Sequence, residues 1–149
     1  MRGKRDRSTE PTAMRVLVVE DNANDVALIK RAFRQCELRP EAFYVQDGEE
    51  ALDFLRTTDG FEDVPRPDIM ITNLNMPKIK GQELLEKMKA DEGVSSIPVV
   101  ILTMSERDED ILKAYSHHAA GYFTKPVDKD QFVSLVQTIH DYWQEALLP

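Results

Sequence analysis

One cysteine and no long hydrophobic run are the first things this sequence has little of. Cys36 has no second thiol to pair with, which excludes an internal disulfide framework, and no segment approaches the roughly 18 consecutive apolar residues that a membrane-spanning helix needs. Both absences point to a soluble, reducing setting, and the expectation is a cytoplasmic protein. Positive charge is also scarce. Nineteen Lys and Arg stand against 27 Asp and Glu, a net charge of -8, whereas nucleic-acid binders gather cations on one face. No nucleic-acid or membrane partner is expected. The exception is the start of the chain, where Arg2, Lys4, Arg5 and Arg7 cluster. No apolar stretch follows them as a signal peptide would require, and they show no helical or strand periodicity. Residues 1–13 are therefore read as a disordered basic leader.

What is present suits one domain: 149 residues, 42% of them apolar, are enough for one real core and too few for two. From residue 14 onward, short apolar runs alternate with helical patterns, which is the signature of a parallel sheet covered by helices on both faces. Strands are predicted over 16–19, 41–46, 69–73, 97–103 and 121–124. Helices are predicted over 25–36, from 48 to about 56, after the Pro77 to Gly81 break with Leu84, Leu85 and Met88 on one face, over 108–116, and from Asp128 onward with Phe132, Leu135, Val136 and Ile139 inward. Residues 57–67, with Asp59-Gly60, Pro65 and Pro67, read as a long loop. The fold class is α/β, a doubly wound five-stranded parallel sheet of flavodoxin-like type. In such sheets ligands sit at the carboxyl ends of the strands, where the winding reverses.

The polar residues at those strand ends are Glu20 and Asp21, Asn73, Thr103 and Lys125. Adjacent carboxylates at the end of a buried strand repel each other and are costly to desolvate, so a cation should compensate them. Mg²⁺ is one candidate, since it takes few carboxylates and bridges to phosphoryl oxygens. A solvated loop start or a helix cap is the plainer reading of the acidic pair. Lys125, held extended by Pro126, would neutralise a phosphoryl oxygen or pair with Asp21. Thr103 would donate its hydroxyl to such an oxygen or simply end its strand. Each feature alone says little; their convergence on one crevice points to a phosphoryl site.

Several runs together carry a more specific signal: Val-Leu-Val-Val-Glu-Asp-Asn at 16–22, Asp-Gly-Glu-Glu-Ala-Leu at 47–52, Pro-Asp-Ile-Met-Ile-Thr-Asn-Leu-Asn-Met-Pro at 67–77, Gly81, Pro-Val-Val-Ile-Leu-Thr at 98–103 and Gly-Tyr-Phe-Thr-Lys-Pro at 121–126. From residue 14 to the end the chain resembles the response-regulator receiver family of two-component phosphorelays. The Pro65-Arg66-Pro67 loop and the ending Tyr-Trp-Gln-Glu-Ala-Leu-Leu-Pro look like the single-domain regulators that partner bacterial phytochrome histidine kinases. The resemblance implies that Glu20 and Asp21 are the acidic pair of a Mg²⁺ site and that Asn75 lends its backbone carbonyl. It makes Thr103 the switch hydroxyl, Lys125 the lysine of the phosphoryl pocket, and Tyr122 the aromatic whose burial follows phosphorylation. The bland reading of Tyr122 is an ordinary half-buried tyrosine on an edge strand.

At the phosphoacceptor position, where the family carries aspartate, stands Asn73. Receivers accept a phosphoryl group from phosphohistidine by carboxylate attack, and an amide has no such anionic nucleophile. The metal site also loses a charge; at about 4 Å and an effective dielectric near 20, one unit-charge interaction is on the order of 4 kcal/mol before solvent and geometry reduce it. Phosphorylation is expected to be lost and Mg²⁺ weakened, with Asn73 still able to offer an oxygen. Three explanations stand: a natural phosphorylation-independent receiver that acts as a protein-binding or dimerisation module, an Asp→Asn replacement in an ordinary regulator, or another acceptor. Against the last, Thr72 should point away from Asn73 on an alternating strand. Lys80 also departs from the family, which has an acidic residue before the glycine; the effect should be local.

No enzyme activity is expected. A phosphatase of the same fold would want Asp-x-Asp where this chain has Glu20-Asp21-Asn22, and a flavin module would want a Ser/Thr/Gly-rich loop after the first strand. The expected partner is a sensor histidine kinase, of phytochrome type by resemblance. The apolar residues Tyr142, Trp143, Leu147 and Leu148 either pack on their own domain or close a symmetric dimer, and the resemblance favours a homodimer through the last two helices and fifth strand. His117 and His118 are expected to be solvated helix-end residues.

Overall fold

A computed structural model describes residues 12–146. The leader expected over 1–13 therefore lies, apart from residues 12 and 13, outside the described residues, as do Leu147 and Leu148. Five strands, β1 (Arg15–Val19), β2 (Glu41–Val45), β3 (Ile69–Thr72), β4 (Val99–Thr103) and β5 (Gly121–Thr124), alternate with five helices, α1 (Ala23–Arg34), α2 (Gly48–Arg56), α3 (Gly81–Lys89), α4 (Asp108–Ser116) and α5 (Lys129–Glu145). All strand pairs are parallel, in the order β2-β1-β3-β4-β5.

Alternation along each strand sends side chains to two separate cores. Val16 and Val18 of β1, Ile69 and Ile71 of β3, and Val100 and Leu102 of β4 pack with Ile29 and Phe33 of α1 and with Phe132, Val136 and Ile139 of α5. The intervening residues Leu17, Val19, Met70, Val99 and Ile101 pack with α2, α3 and α4 through Ala51, Phe54, Leu84, Leu85, Met88 and Ala114. Both faces being covered explains why β1, β3 and β4 read as continuous apolar runs. The crossovers from β1 and from β3 leave on opposite faces, so a crevice opens at the carboxyl ends of these two central strands.

The predicted elements are all present, with ends that shift for identifiable reasons. Helix α1 begins two residues earlier than expected because the Asn22 side chain caps it, accepting from the Asp25 N–H at 3.1 Å. It ends at Arg34, leaving Cys36 just beyond the last turn. Strand β4 starts at Val99 rather than residue 97, since Pro98 has no N–H for the ladder and Ile97 N–H turns back to the Val94 carbonyl. Strand β3 stops at Thr72, one short of Asn73. Helices α2 and α5 are capped by Asp47 and Asp128, each accepting the amide three residues on, at 2.8 and 2.9 Å.

Candidate phosphoacceptor pocket

Glu20 follows the last residue of β1, and its backbone N–H still reaches Val45 of β2 at 3.0 Å, so the side chain is fixed at the sheet's edge and only 5% exposed. Both carboxylate oxygens are occupied. Lys125 Nζ donates to Oε1 at 2.5 Å, while Oε2 accepts from the Asn22 N–H at 3.1 Å and from the Asn73 amide at 3.3 Å. Burial nonetheless outweighs the nearby lysine and pushes the Glu20 carboxyl above the ordinary glutamate value. Asp21, the next residue, turns out to solvent.

Lys125 is buried at the end of β5, anchored by its backbone N–H to the Thr103 carbonyl at 2.7 Å. Its ammonium bridges Glu20 and Asp25, the latter at 2.8 Å. Of the two roles considered for Lys125, phosphoryl neutralisation or pairing with Asp21, the second takes a different form: its ion pairs are with Glu20 and Asp25. Helix geometry is the reason: Asn22 caps α1, which places Asp25 in the first turn facing the lysine, while Asp21 precedes the cap and projects outward. Sequence reasoning missed Asp25. Its signal was the Asn22-x-x-Asp25 spacing of a capped helix start, where an acidic residue also complements the helix dipole.

Asn73 continues β3, its N–H bonded to the Val19 carbonyl at 3.1 Å. Its Oδ1 accepts from the Leu74 N–H at 2.8 Å, and its Nδ2 donates to Glu20 and to the Asn75 carbonyl at 3.4 Å. The amide therefore presents hydrogens to two of the oxygen donors assigned above to a cation. Thr72 faces away as expected, buried with its hydroxyl on the Asn73 carbonyl and near the Met76 sulfur.

Asn73 and Asn75 share the loop between β3 and α3, and two glycines set that loop's position. A Cβ on Gly81 would lie 2.8 Å from the Leu74 Cα and against the Asn73 carbonyl. One on Gly48 would lie 2.7 Å from the Ile79 carbonyl. The loop turns through Lys78 at φ 64°, whose ammonium pairs with Asp47 at 3.7 Å. Lys80 forms the N-terminal boundary of α3 without a side-chain cap.

Thr103 is fully buried, its hydroxyl accepting weakly from the Ser105 N–H at 3.4 Å. Tyr122, half-buried on β5, donates its hydroxyl to the Ser105 carbonyl at 3.0 Å, and Ser105 Oγ donates to Asp110 at 2.6 Å. Burial raises the Tyr122 phenol. Ser105, unmarked in the sequence, thus joins β4, β5 and α4. The two neighbouring histidines differ: His118 is exposed, whereas His117 is half-buried, with an Nδ1 that has no partner among the described residues.

Direct contacts join Lys125 to Glu20, Glu20 to Asn73 and Asn73 to the Asn75 carbonyl; Asp21 is exposed next to Glu20, and Thr103 meets Lys125 through its backbone carbonyl. Two carboxylates, a carbonyl and an amide oxygen are hard donors suited to Mg²⁺, but Asn73 must turn its amide over to contribute. Residues 16–137 match the response regulator receiver domain model. The chain is 37% identical over 129 residues to the probable methanogenesis regulatory protein FilR2 of Methanothrix harundinacea, covering 86% of this chain and 82% of that protein. It is 32% identical over 142 residues to the response regulator Rcp1 of Synechocystis sp., covering 95% of each. The Mn²⁺-bound structure of Rcp1 superposes with a TM-score of 0.86 at 32% identity, over 91% of this chain and 99% of that one. The phosphorylated cyanobacterial phytochrome response regulator RcpA superposes at 0.89 with 34% identity, over 93% and 99%. No helix among the described residues is long and apolar enough to cross a membrane. In fold, in the run of residues along its strand ends and in the extent of the match, this chain belongs to the response regulator receiver domain family of two-component signalling.

Proposed function

We propose that this receiver does not accept a phosphoryl group and signals instead through protein contacts. The observation that carries this reading is Asn73: at the end of β3 it offers an amide N–H₂ to Glu20 where a phosphoacceptor would offer a carboxylate oxygen. The buried lysine that meets Glu20, Lys125, is taken by Glu20 and Asp25. An amide cannot attack phosphorus as an anion, and positioning without a nucleophile yields no phosphoenzyme.

Glu20, Asp21, the Asn75 carbonyl and a turned Asn73 amide would hold Mg²⁺, weakly because one carboxylate is missing. When bound, the ion supplies positive charge for phosphoryl oxygens. Thr103 and Tyr122 then stay in the arrangement that Ser105 holds, with no phosphate to move them. The partner we infer is a sensor histidine kinase, of the phytochrome-coupled class by likeness to RcpA.

Phosphotransfer from a phosphorylated histidine kinase in Mg²⁺ buffer tests the reading. The protein as it stands is expected to take no label and Asn73→Asp to take it; label on the unaltered protein at the rate of the Asp form would overturn the proposal.

The exposed apolar residues Leu112 and Tyr115 on α4 and Val127 before α5 support a homodimer through α4, β5 and α5.

A further inference from the structure

Helices α1 and α5 pack side by side, and both start at the phosphoacceptor pocket and end at the opposite edge of the sheet. There, Cys36, His140 and Asp141 line an open groove together with Gln137 and Gln144. The thiol sulfur, a ring nitrogen of His140 and a carboxylate oxygen of Asp141 all lie within 4.8 Å of one another. His140 Nδ1 is 2.9 Å from Asp141 Oδ1. The ring is only 2% exposed, and its Nε2 is buried with no hydrogen-bond partner among the described residues. The nitrogen beside the Asp141 carboxylate is Nδ1, the one placed to share a cation with that carboxylate.

We propose that Cys36, His140 and Asp141 form a binding site for a zinc-class divalent cation, which fastens the end of α1 to α5 and leaves one coordination position facing the groove. Thiolate, imidazole and carboxylate are the donors such ions select, whereas Mg²⁺ prefers oxygen alone. Bonds of about 2.0–2.3 Å place adjacent ligand atoms of a tetrahedral site roughly 3.3–3.7 Å apart, so the observed separations need only small side-chain rotations. Asp141 is largely exposed and free to make one, and Cys36 sits beyond the helix's last turn. Burial and, after it, the Asp141 charge push the Cys36 thiol up to about 11; a bound cation opposes both effects and favours the thiolate. The site is independent of the phosphoacceptor pocket and of whether Asn73 accepts phosphate. A clamp at this end would complement the Lys125 to Asp25 bridge that ties β5 to α1 at the other.

Titrating the full chain with Co²⁺ under a non-thiol reductant tests this, because a thiolate ligand gives a near-ultraviolet charge-transfer band that oxygen ligands at Glu20 or Asp21 do not. One saturating equivalent is expected, displaced by Zn²⁺, with the band absent in Cys36→Ser and Co²⁺ affinity at least tenfold weaker in Asp141→Asn and His140→Gln. Far-ultraviolet circular dichroism checks that His140→Gln folds; should it not, Asp141→Asn, altered at an exposed position, carries the test. No band in the unaltered protein at excess Co²⁺, or an affinity unchanged in Asp141→Asn, would overturn the site.

Discussion

Glu20 is held between two opposing effects. Lys125, Asn22 and Asn73 stabilise its charge, but the pocket that supplies them also removes water, and removal of water wins. Since the folded-state pKa is raised, the folded chain holds the Glu20 proton more tightly than the unfolded one. This group's contribution to stability is therefore fully present below the unfolded glutamate value, about 4.3, and is lost as pH rises through the folded value. Urea unfolding of the unaltered protein and of Glu20→Gln across pH 4 to 8 should show the unaltered protein's relative stability falling as pH rises, then levelling off. A relative stability that increases with pH would mean that Lys125, not burial, governs the carboxylate. At the same scale, Asn73→Asp adds a second anion beside Glu20, so phosphotransfer and a larger Mg²⁺-dependent stabilisation should appear together.

The loop between β3 and α3 is the element that aims Asn73 and Asn75. It is confined by the two helix starts whose first residues are Gly48 and Gly81, and in both cases the atoms a methyl group would meet belong mainly to the loop itself. Backbone gives way less readily than a flexible side chain. Gly81→Ala is expected to destabilise the fold by about 1–3 kcal/mol through overpacking, read as a lower urea midpoint at constant m-value. It should also shift the amide resonances of Asn73 and Leu74 more than those of β2. By contrast, Lys80 at the same helix start makes no side-chain capping bond.

For the whole molecule, the proposed loss of phosphorylation would leave output to the surfaces that meet other proteins. Leu112 is 71% and Val127 92% exposed, on or beside the elements expected to form a dimer. If two copies associate there, Leu112→Glu places a charge in the interface while leaving the core untouched, because the side chain has little to lose on its own domain. Sedimentation equilibrium is expected to give a dimer for the unaltered protein and the 17.1 kDa monomer for the variant. Equal masses would remove this face from consideration.

Trp143, one of the apolar residues near the end of the chain, packs against the α1 and α5 core, whereas Tyr142 beside it is 66% exposed. Periodicity alone did not separate them, since which side of a helix is covered depends on its neighbour. The same distinction runs through the site. Alternating apolar runs and helical spacings fixed the fold class and placed Glu20, Asn73, Thr103 and Lys125 at one edge of the sheet, because strand ends in a parallel α/β domain must converge there. The replacement at position 73 was likewise plain from residue identity. Only the tertiary structure paired Lys125 with Glu20 and Asp25 rather than Asp21, turned the Asn73 amide toward Glu20, joined Tyr122 to Ser105, and brought Cys36 beside His140 and Asp141. These contacts link residues up to 105 positions apart in the chain, and their partners are set by side-chain direction and by how α1 and α5 pack, which a linear pattern does not encode.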